Sequence, residues 1–307
     1  MTATARAVPP EPPFQRLSAL VAKDMEAVNT VIATRMASDN APRIPEVTRH
    51  LVDAGGKRLR PILTIAAARL CGYAGDDHVK LAATVEFIHT ATLFARSFQL
   101  MVECGSLRVL DILADASATI AEGEVLQLST GGSLAVEEAT YLRMIHGKTA
   151  ALFAAATEVG GVIAKAPEDD VQALRAYGRD LGMAFQIVDD VLDYGGAAAR
   201  LGKNVGDDFR EGKMTLPVLI AVADAKAAAD AEALAFWTRC IETPSKQTDG
   251  DLEEALRRLS QSGALDRATL RARDYVASAR GSLDRFAPSP LRDALSDVAE
   301  FVVSRLS

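Results

Sequence analysis

Residues 171–193 read VQALRAYGRDLGMAFQIVDDVLD, and this stretch decides the fold. Val171, Leu174, Leu181 and Phe185 recur at helical spacing, which gives one long helix an apolar face. Its last turns, Phe185-Gln186-Ile187-Val188-Asp189-Asp190-Val191-Leu192-Asp193, set three carboxylates among apolar side chains. Asp189 and Asp193 share one helical face, with Asp190 beside them. Like charges at that spacing destabilise a helix, and burial beside apolar neighbours raises the cost. A hard divalent cation such as Mg2+ would compensate, because it takes few protein carboxylates and completes its shell with water and phosphate oxygens. Taken alone, a DDxxD is as readily a solvated helical turn, so the run needs support from elsewhere in the chain.

That support is basic. Gly55-Gly56-Lys57-Arg58-Leu59-Arg60-Pro61 lies between two apolar-periodic segments. The glycines read as a helix stop, and Pro61 suits the first turn of the next helix. A helix N-terminus beside Lys57, Arg58 and Arg60 is a natural anion site. His146-Gly147-Lys148-Thr149 adds a cation and a hydroxyl within a helical stretch. Gly202-Lys203-Asn204-Val205-Gly206-Asp207-Asp208, followed by Lys213, forms a polar, glycine-bearing loop of the kind that covers a site. Each segment alone is ordinary surface. Their joint presence points to phosphate and metal chemistry.

The rest of the chain reads as helices. Of its 307 residues 49% are hydrophobic but only 5% aromatic, and alanine is abundant, a balance that favours close-packed helices over a sheet. Amphipathic helices are expected at 14–37, 43–53, 58–72, 76–93, 94–104, 106–129, 135–160, 167–194, 213–227, 229–242, 249–262, 264–284 and 288–305. Leu107, Leu110, Ile112, Leu113 and Ile120 carry the apolar series of the sixth. Breakers fall at Gly55-Gly56, Gly131-Gly132, Gly160-Gly161, Gly195-Gly196 and Pro288-Ser289-Pro290. No strand pattern, repeat period or low-complexity linker persists. The expectation is one all-α domain over 14–307, a single bundle of about a dozen helices, behind a flexible Ala/Pro-rich arm at 1–13.

Composition excludes several functions. A net charge of −7 and a pI near 5.3 argue against a nucleic-acid binder. Cys71, Cys104 and Cys240 have neither disulfide-framework nor metal spacing, which suits a reducing cytoplasm. With 4 histidines and no HExxH, zinc chemistry has no support. The arm lacks the apolar core of a signal peptide, and no apolar run is long enough to span a bilayer.

Taken together, GGKRLRP at 55–61, EFIHTATL at 86–93, GEVLQL at 123–128, Lys148-Thr149, the run from Gln186 to Asp193, Lys203 and Asp207-Asp208 resemble the trans-isoprenyl diphosphate synthases, or polyprenyl synthetases, over nearly the whole chain. The long-chain, octaprenyl- and decaprenyl-type members that make quinone side chains are the most similar. The resemblance implies a helical bundle around a central apolar cavity, a homodimer, and two substrates, isopentenyl diphosphate and an allylic diphosphate. It implies Mg2+ as cofactor, held by Asp189, Asp190 and Asp193. Lys148, Thr149, Gln186 and Lys203 become the groups at the reacting centre. Lys57, Arg60, His89 and Lys213 become substrate-binding residues; His89 alone would read as a buried structural histidine. Glu122, Glu124 and Gln127, otherwise a solvated helical end, would support the metal site or adjoining helix contacts. Ala91, as a small residue, would leave room for a growing chain.

One departure matters. In the family, EFIHTATL runs into a first DDxxD and then a pair of arginines. Here Leu93 is followed at once by Phe94-Ala95-Arg96-Ser97-Phe98-Gln99-Leu100. About thirty residues that the resemblance implies between 93 and 94 are absent. Asp76-Asp77 and Asp169-Asp170 lack the third carboxylate and do not replace the motif. Prenyl transfer remains the preferred expectation. The alternative, if the first aspartate motif is truly deleted, is a non-catalytic diphosphate-binding subunit or regulator on the same fold. A terpene-cyclase-like lyase is a third possibility, which the retained GGKRLRP and His89 argue against.

Overall fold

The computed structural model describes residues 12–36, 58–88, 94–195 and 205–306. Every regular element among them is helical, as the apolar periodicity predicted. The Glu168–Asp193 helix packs on Ala151–Ile163 along one side and on Ala264–Ser282 along another. Leu174, Leu181, Ile187, Val188 and Leu192 are all but inaccessible to solvent, so this helix is the axis of the core. Leu59–Leu70 packs on Ala151–Ile163, and Asp77–Ile88 joins Leu59–Leu70 to Ala22–Met36 and Phe94–Glu103. Leu107–Thr130 closes the remaining side against Ala151–Ile163 and the turn before it.

Helix boundaries follow local chemistry. Ser106 caps Leu107–Thr130 by accepting from the Val109 amide, and Asp230 and Ser289 cap Ala231–Trp237 and Pro290–Ser304 in the same way. The helix expected at 14–37 is divided into Pro13–Leu20 and Ala22–Met36. The one expected at 135–160 becomes Glu138–Ile145, a π-helical turn at His146–Ala150, and Ala151–Ile163. A short Asp207–Arg210 helix was not foreseen.

Two sequence expectations need correction. Gly160-Gly161 is no breaker but lies inside Ala151–Ile163. A β-carbon on Gly160 would stand 2.8 Å from the Thr64 carbonyl oxygen and the Ala68 amide nitrogen, so the glycine permits two helices to touch backbone to backbone. Leu107, counted in an apolar core series, is 84% exposed, whereas Leu113 is fully buried. The arm at 1–11, the helix expected at 43–53, and residues Lys57, His89, Ala91 and Lys203 lie outside the described residues. Among the described residues no helix is long and apolar enough to cross a membrane.

Candidate active site

The site forms where the C-terminal turns of Glu168–Asp193 meet the π-helical turn. Inserting a residue into a helical turn re-aims the side chains around it. The turn is held by close backbone contact: a β-carbon on Gly147 would lie 2.9 Å from Gly123 Cα, and one on Gly123 would lie 2.7 Å from the Lys148 amide nitrogen. Only glycine at both positions permits this approach. It brings Lys148 Nζ to donate to Gln127 Oε1 at 2.8 Å, with Glu124 at 3.9 Å. Gln127 is thus a partner of the site lysine, while Glu122 and Glu124 remain exposed.

One residue on, Thr149 Oγ1 donates to Gln186 Oε1 at 2.8 Å. Gln186 Nε2 donates to Asp190 Oδ1 at 2.9 Å, and the Tyr141 hydroxyl donates to Asp190 Oδ2 at 2.7 Å. Four residues from three segments therefore form one continuous hydrogen-bonded chain. Burial pushes the Asp190 carboxyl up to about 7; the bonds from Tyr141 and Gln186 oppose this, and Asp208 and Asp189 add to it.

Asp193 is used differently. Its two oxygens accept from the backbone amides of Asp207 at 3.2 Å and Asp208 at 3.0 Å, and its own carbonyl accepts from the Gly206 amide. It thereby ties the start of Asp207–Arg210 to the end of the aspartate helix. Burial raises its carboxyl above the usual range, with Asp208 adding repulsion. Lys213 bonds to Asp208 at 2.9 Å and Glu211 at 2.7 Å. Burial works against its charge, but the two carboxylates outweigh this and raise it.

Asp189, Asp190, Asp208, Lys148, Gln186 and Lys213 line one cavity of about 250 Å³ together with Gln127, Tyr141 and the apolar Val136, Met144, Ile145 and Met214. Acidic groups, cations and an apolar wall are thus combined in one space. Among the described residues no three His, Cys, Asp or Glu side chains converge as a closed metal cage. The donor set still suits a hard, largely hydrated cation, since Mg2+ needs only one or two carboxylates. Asp190 and Asp193, whose charged forms are disfavoured by burial and by the neighbouring Asp208, would be relieved by it.

Arg60 stands outside this cavity. It is partly buried over the Phe153 ring, 4.9 Å from its centroid, and Phe153 leans on Phe185 at 5.8 Å. Burial lowers the guanidinium to about 10, with Glu86 opposing. Its buried Nε finds no hydrogen-bond acceptor among the described residues.

Sequence reading missed Tyr141, which lies 49 residues from Asp190; no local pattern announces that contact. It quoted Asp208 within a loop motif without foreseeing that Asp208 lines the cavity.

An all-helical bundle with aspartates, lysines and a glutamine amide around one cavity defines a helical protein with a site suited to an anionic, metal-bound ligand. The polyprenyl synthetase family model matches residues 41–95 and 92–259. The chain belongs to this family, and within it to the long-chain trans-prenyl synthases, which are prenyltransferases. The two matched segments meet at 92–95, where EFIHTATL passes directly into Phe94. The chain is 36% identical to octaprenyl diphosphate synthase of Escherichia coli (strain K12) over 328 residues, covering 95% of this chain and 99% of that one. Among solved structures, a decaprenyl diphosphate synthase from Rhodobacter capsulatus is 53% identical with a TM-score of 0.91, covering 96% of this chain and 100% of that one. A polyprenyl synthase from Caulobacter crescentus CB15, complexed with calcium and isoprenyl diphosphate, is 45% identical with a TM-score of 0.89, covering 97% and 100%.

Proposed function

We propose that this chain carries out Mg2+-dependent, head-to-tail condensation of isopentenyl diphosphate with an allylic diphosphate, making a long-chain polyprenyl diphosphate for quinone side chains in the cytoplasm. The observation that carries this reading is the convergence of Lys148, Gln186, Asp189, Asp190 and Asp208 on one cavity, with Thr149 bonded to Gln186 behind it. The relative seen with calcium and isoprenyl diphosphate supports both the metal and the ligand class.

In the reaction, the allylic C–O bond breaks and pyrophosphate leaves with the electron pair. The double bond of isopentenyl diphosphate then attacks the allylic cation, and loss of a proton restores a double bond. Bound Mg2+ would supply positive charge to the leaving diphosphate, with Asp189, Asp190 and Asp193 as its holders and Asp208 beside them. Lys148 and Lys213 add cations at the cavity, and the resemblance adds Lys203, so that positive charge favours charge separation at the diphosphate. Gln186 presents its amide to the reacting centre from the cavity wall, with Thr149 bonded behind it. Met144, Ile145 and Met214 exclude water that would quench the cation. Arg60, with its uncommitted buried Nε, joins Lys57 and His89 in anchoring isopentenyl diphosphate.

The protein is further proposed to work as a homodimer. Leu107, Ala114, Ala118, Ala121, Val125 and Leu128 repeat at heptad-like spacing along one helix. Leu107, Val125 and Leu128 are 84%, 65% and 82% exposed, a face suited to helix–helix contact.

The decisive experiment incubates the full chain with labelled isopentenyl diphosphate, an allylic diphosphate and Mg2+, and extracts lipid-soluble product. Label should enter a long prenyl chain and cease to do so with EDTA. Retained Mg2+-dependent binding of diphosphate without incorporation would replace synthase activity with the diphosphate-binding subunit reading.

A further inference from the structure

We infer that Tyr141 is a positioning residue for prenyl transfer: through Asp190 it fixes the Gln186 amide, and Gln186 fixes the direction of the Thr149 hydroxyl. The inference rests on the proposed reaction for its purpose, but its geometry stands independently of turnover.

Tyr141 is 1% exposed, and its hydroxyl donates to Asp190 Oδ2. Asp190, 5% exposed, has its other oxygen bonded to Gln186. Asp190 accepts from the Tyr141 hydroxyl on Oδ2 and from the Gln186 amide on Oδ1, so Gln186 presents its nitrogen end to Asp190. A flipped amide would give up the bond to Asp190 Oδ1 in a buried site. The oxygen end is therefore held on the Thr149 side, where it takes that residue's single hydroxyl proton. Thr149 is left with lone pairs only. The result is a cavity wall at Gln186 whose amide has a fixed direction, backed by Thr149 and set before any ligand arrives, and such a preorganised dipole acts on developing charge without reorganising.

Without the Tyr141 hydroxyl, Asp190 Oδ2 loses its donor and the carboxylate is free to rotate. Gln186 then loses its defined orientation, and so does Thr149. Such a loss falls on a cation in the cavity and spares a neutral molecule of the same shape.

The test compares binding of two probes to the full chain at pH 8, with Mg2+ and inorganic pyrophosphate present. One is a prenyl trialkylammonium resembling the allylic cation; the other is its uncharged tertiary-carbon analogue. Tyr141→Phe should weaken ammonium binding about tenfold and leave the neutral analogue within about twofold. Tyr177→Phe, which removes another buried hydroxyl that donates to the Leu295 carbonyl at 2.9 Å, should leave the discrimination intact. Equal loss for both probes, or no loss, overturns the inference. Should Tyr141→Phe fail to fold, Thr149→Ser and Thr149→Val give the second reading: serine keeps the preference for the ammonium and valine loses it, and a valine variant that keeps it overturns the inference. Labelled condensation measured alongside separates the two questions. A wild-type chain that discriminates between the probes but forms no product contradicts the proposed synthase activity and leaves the relay standing.

Discussion

A β-carbon on Gly178 would stand 2.3 Å from the Phe153 carbonyl oxygen and 2.3 Å from Thr157 Oγ1. Four residues on, one on Gly182 would stand 2.7 Å from Ala150 Cα. The pair lets Glu168–Asp193 lie directly on the segment carrying Lys148 and Thr149, and the Thr157 hydroxyl locks the crossing by donating to the Leu174 carbonyl at 2.6 Å. Thr149 reaches Gln186 because of that crossing. Gly178→Ala forces the helices apart, with an expected cost of about 1–3 kcal/mol, a fall of roughly 1.5–5 °C in Tm for a chain of this length. Thermal unfolding of the purified variant checks this. An unchanged Tm would mean the two helices are not held at backbone contact.

Asp190 makes stability depend on pH in a definite direction. Its carboxyl titrates near 7 in the folded protein against 3.8 ordinarily, so between these values the native state keeps a proton that the unfolded chain has lost. Stability contributed by the protonated group is complete below about pH 4 and declines as pH rises toward about 7, then levels off. In metal-free buffer, Tm should therefore fall between pH 5 and pH 8, and Asp190→Asn should flatten part of that fall. An identical slope in the variant would place the dependence on other groups.

The contrast between Asp190 and the glycines shows what a sequence discloses. The aspartate helix was expected at 167–194 and runs Glu168–Asp193, because apolar spacing and flanking breakers are local signals. Gly160-Gly161 carried the same local signal as a breaker, yet Gly160 serves a contact with Thr64 and Ala68, far away in the chain. The π-helical turn that aims Lys148 likewise depends on Gly123, so helical spacing alone could not reveal it. Residue types at the site were legible because clustered carboxylates and cations are costly without a ligand. Which aspartate oxygen meets which donor is tertiary information.

The three aspartates should separate in a metal titration. Asp189 lines the cavity, whereas Asp193 has both oxygens bonded to the amides of Asp207 and Asp208. Asp189→Asn should raise the Mg2+ concentration giving half-maximal pyrophosphate binding by about tenfold or more. Asp193→Asn loses one acceptor for two backbone donors, so it should mainly loosen the start of Asp207–Arg210. Its signature is faster amide exchange at Asp207 and Asp208, with a smaller change in the metal requirement. Equal metal effects from both substitutions would show that the cation draws on the two residues alike.

The junction between Leu93 and Phe94 is expected to limit the rate. In the family, as the resemblance implies, an allylic diphosphate is met by two aspartate-rich motifs and an arginine pair. This chain offers the cluster at Asp189–Asp193 with Asp208, and no other DDxxD. A leaving group with several negative charges needs positive charge on more than one side, and each preorganised electrostatic partner is worth about 10²–10³ in rate. Inserting between Leu93 and Phe94 the corresponding segment of a relative, with its DDxxD and arginines, should raise single-turnover condensation by at least about 10²-fold. Affinity for isopentenyl diphosphate, which the resemblance assigns to Lys57, Arg60 and His89, should change little. The same insertion with its aspartates replaced by asparagine should give no gain, which separates metal binding from repair of packing. If the intact insertion leaves the rate unchanged, the cluster at Asp189–Asp208 is sufficient by itself to carry the leaving diphosphate.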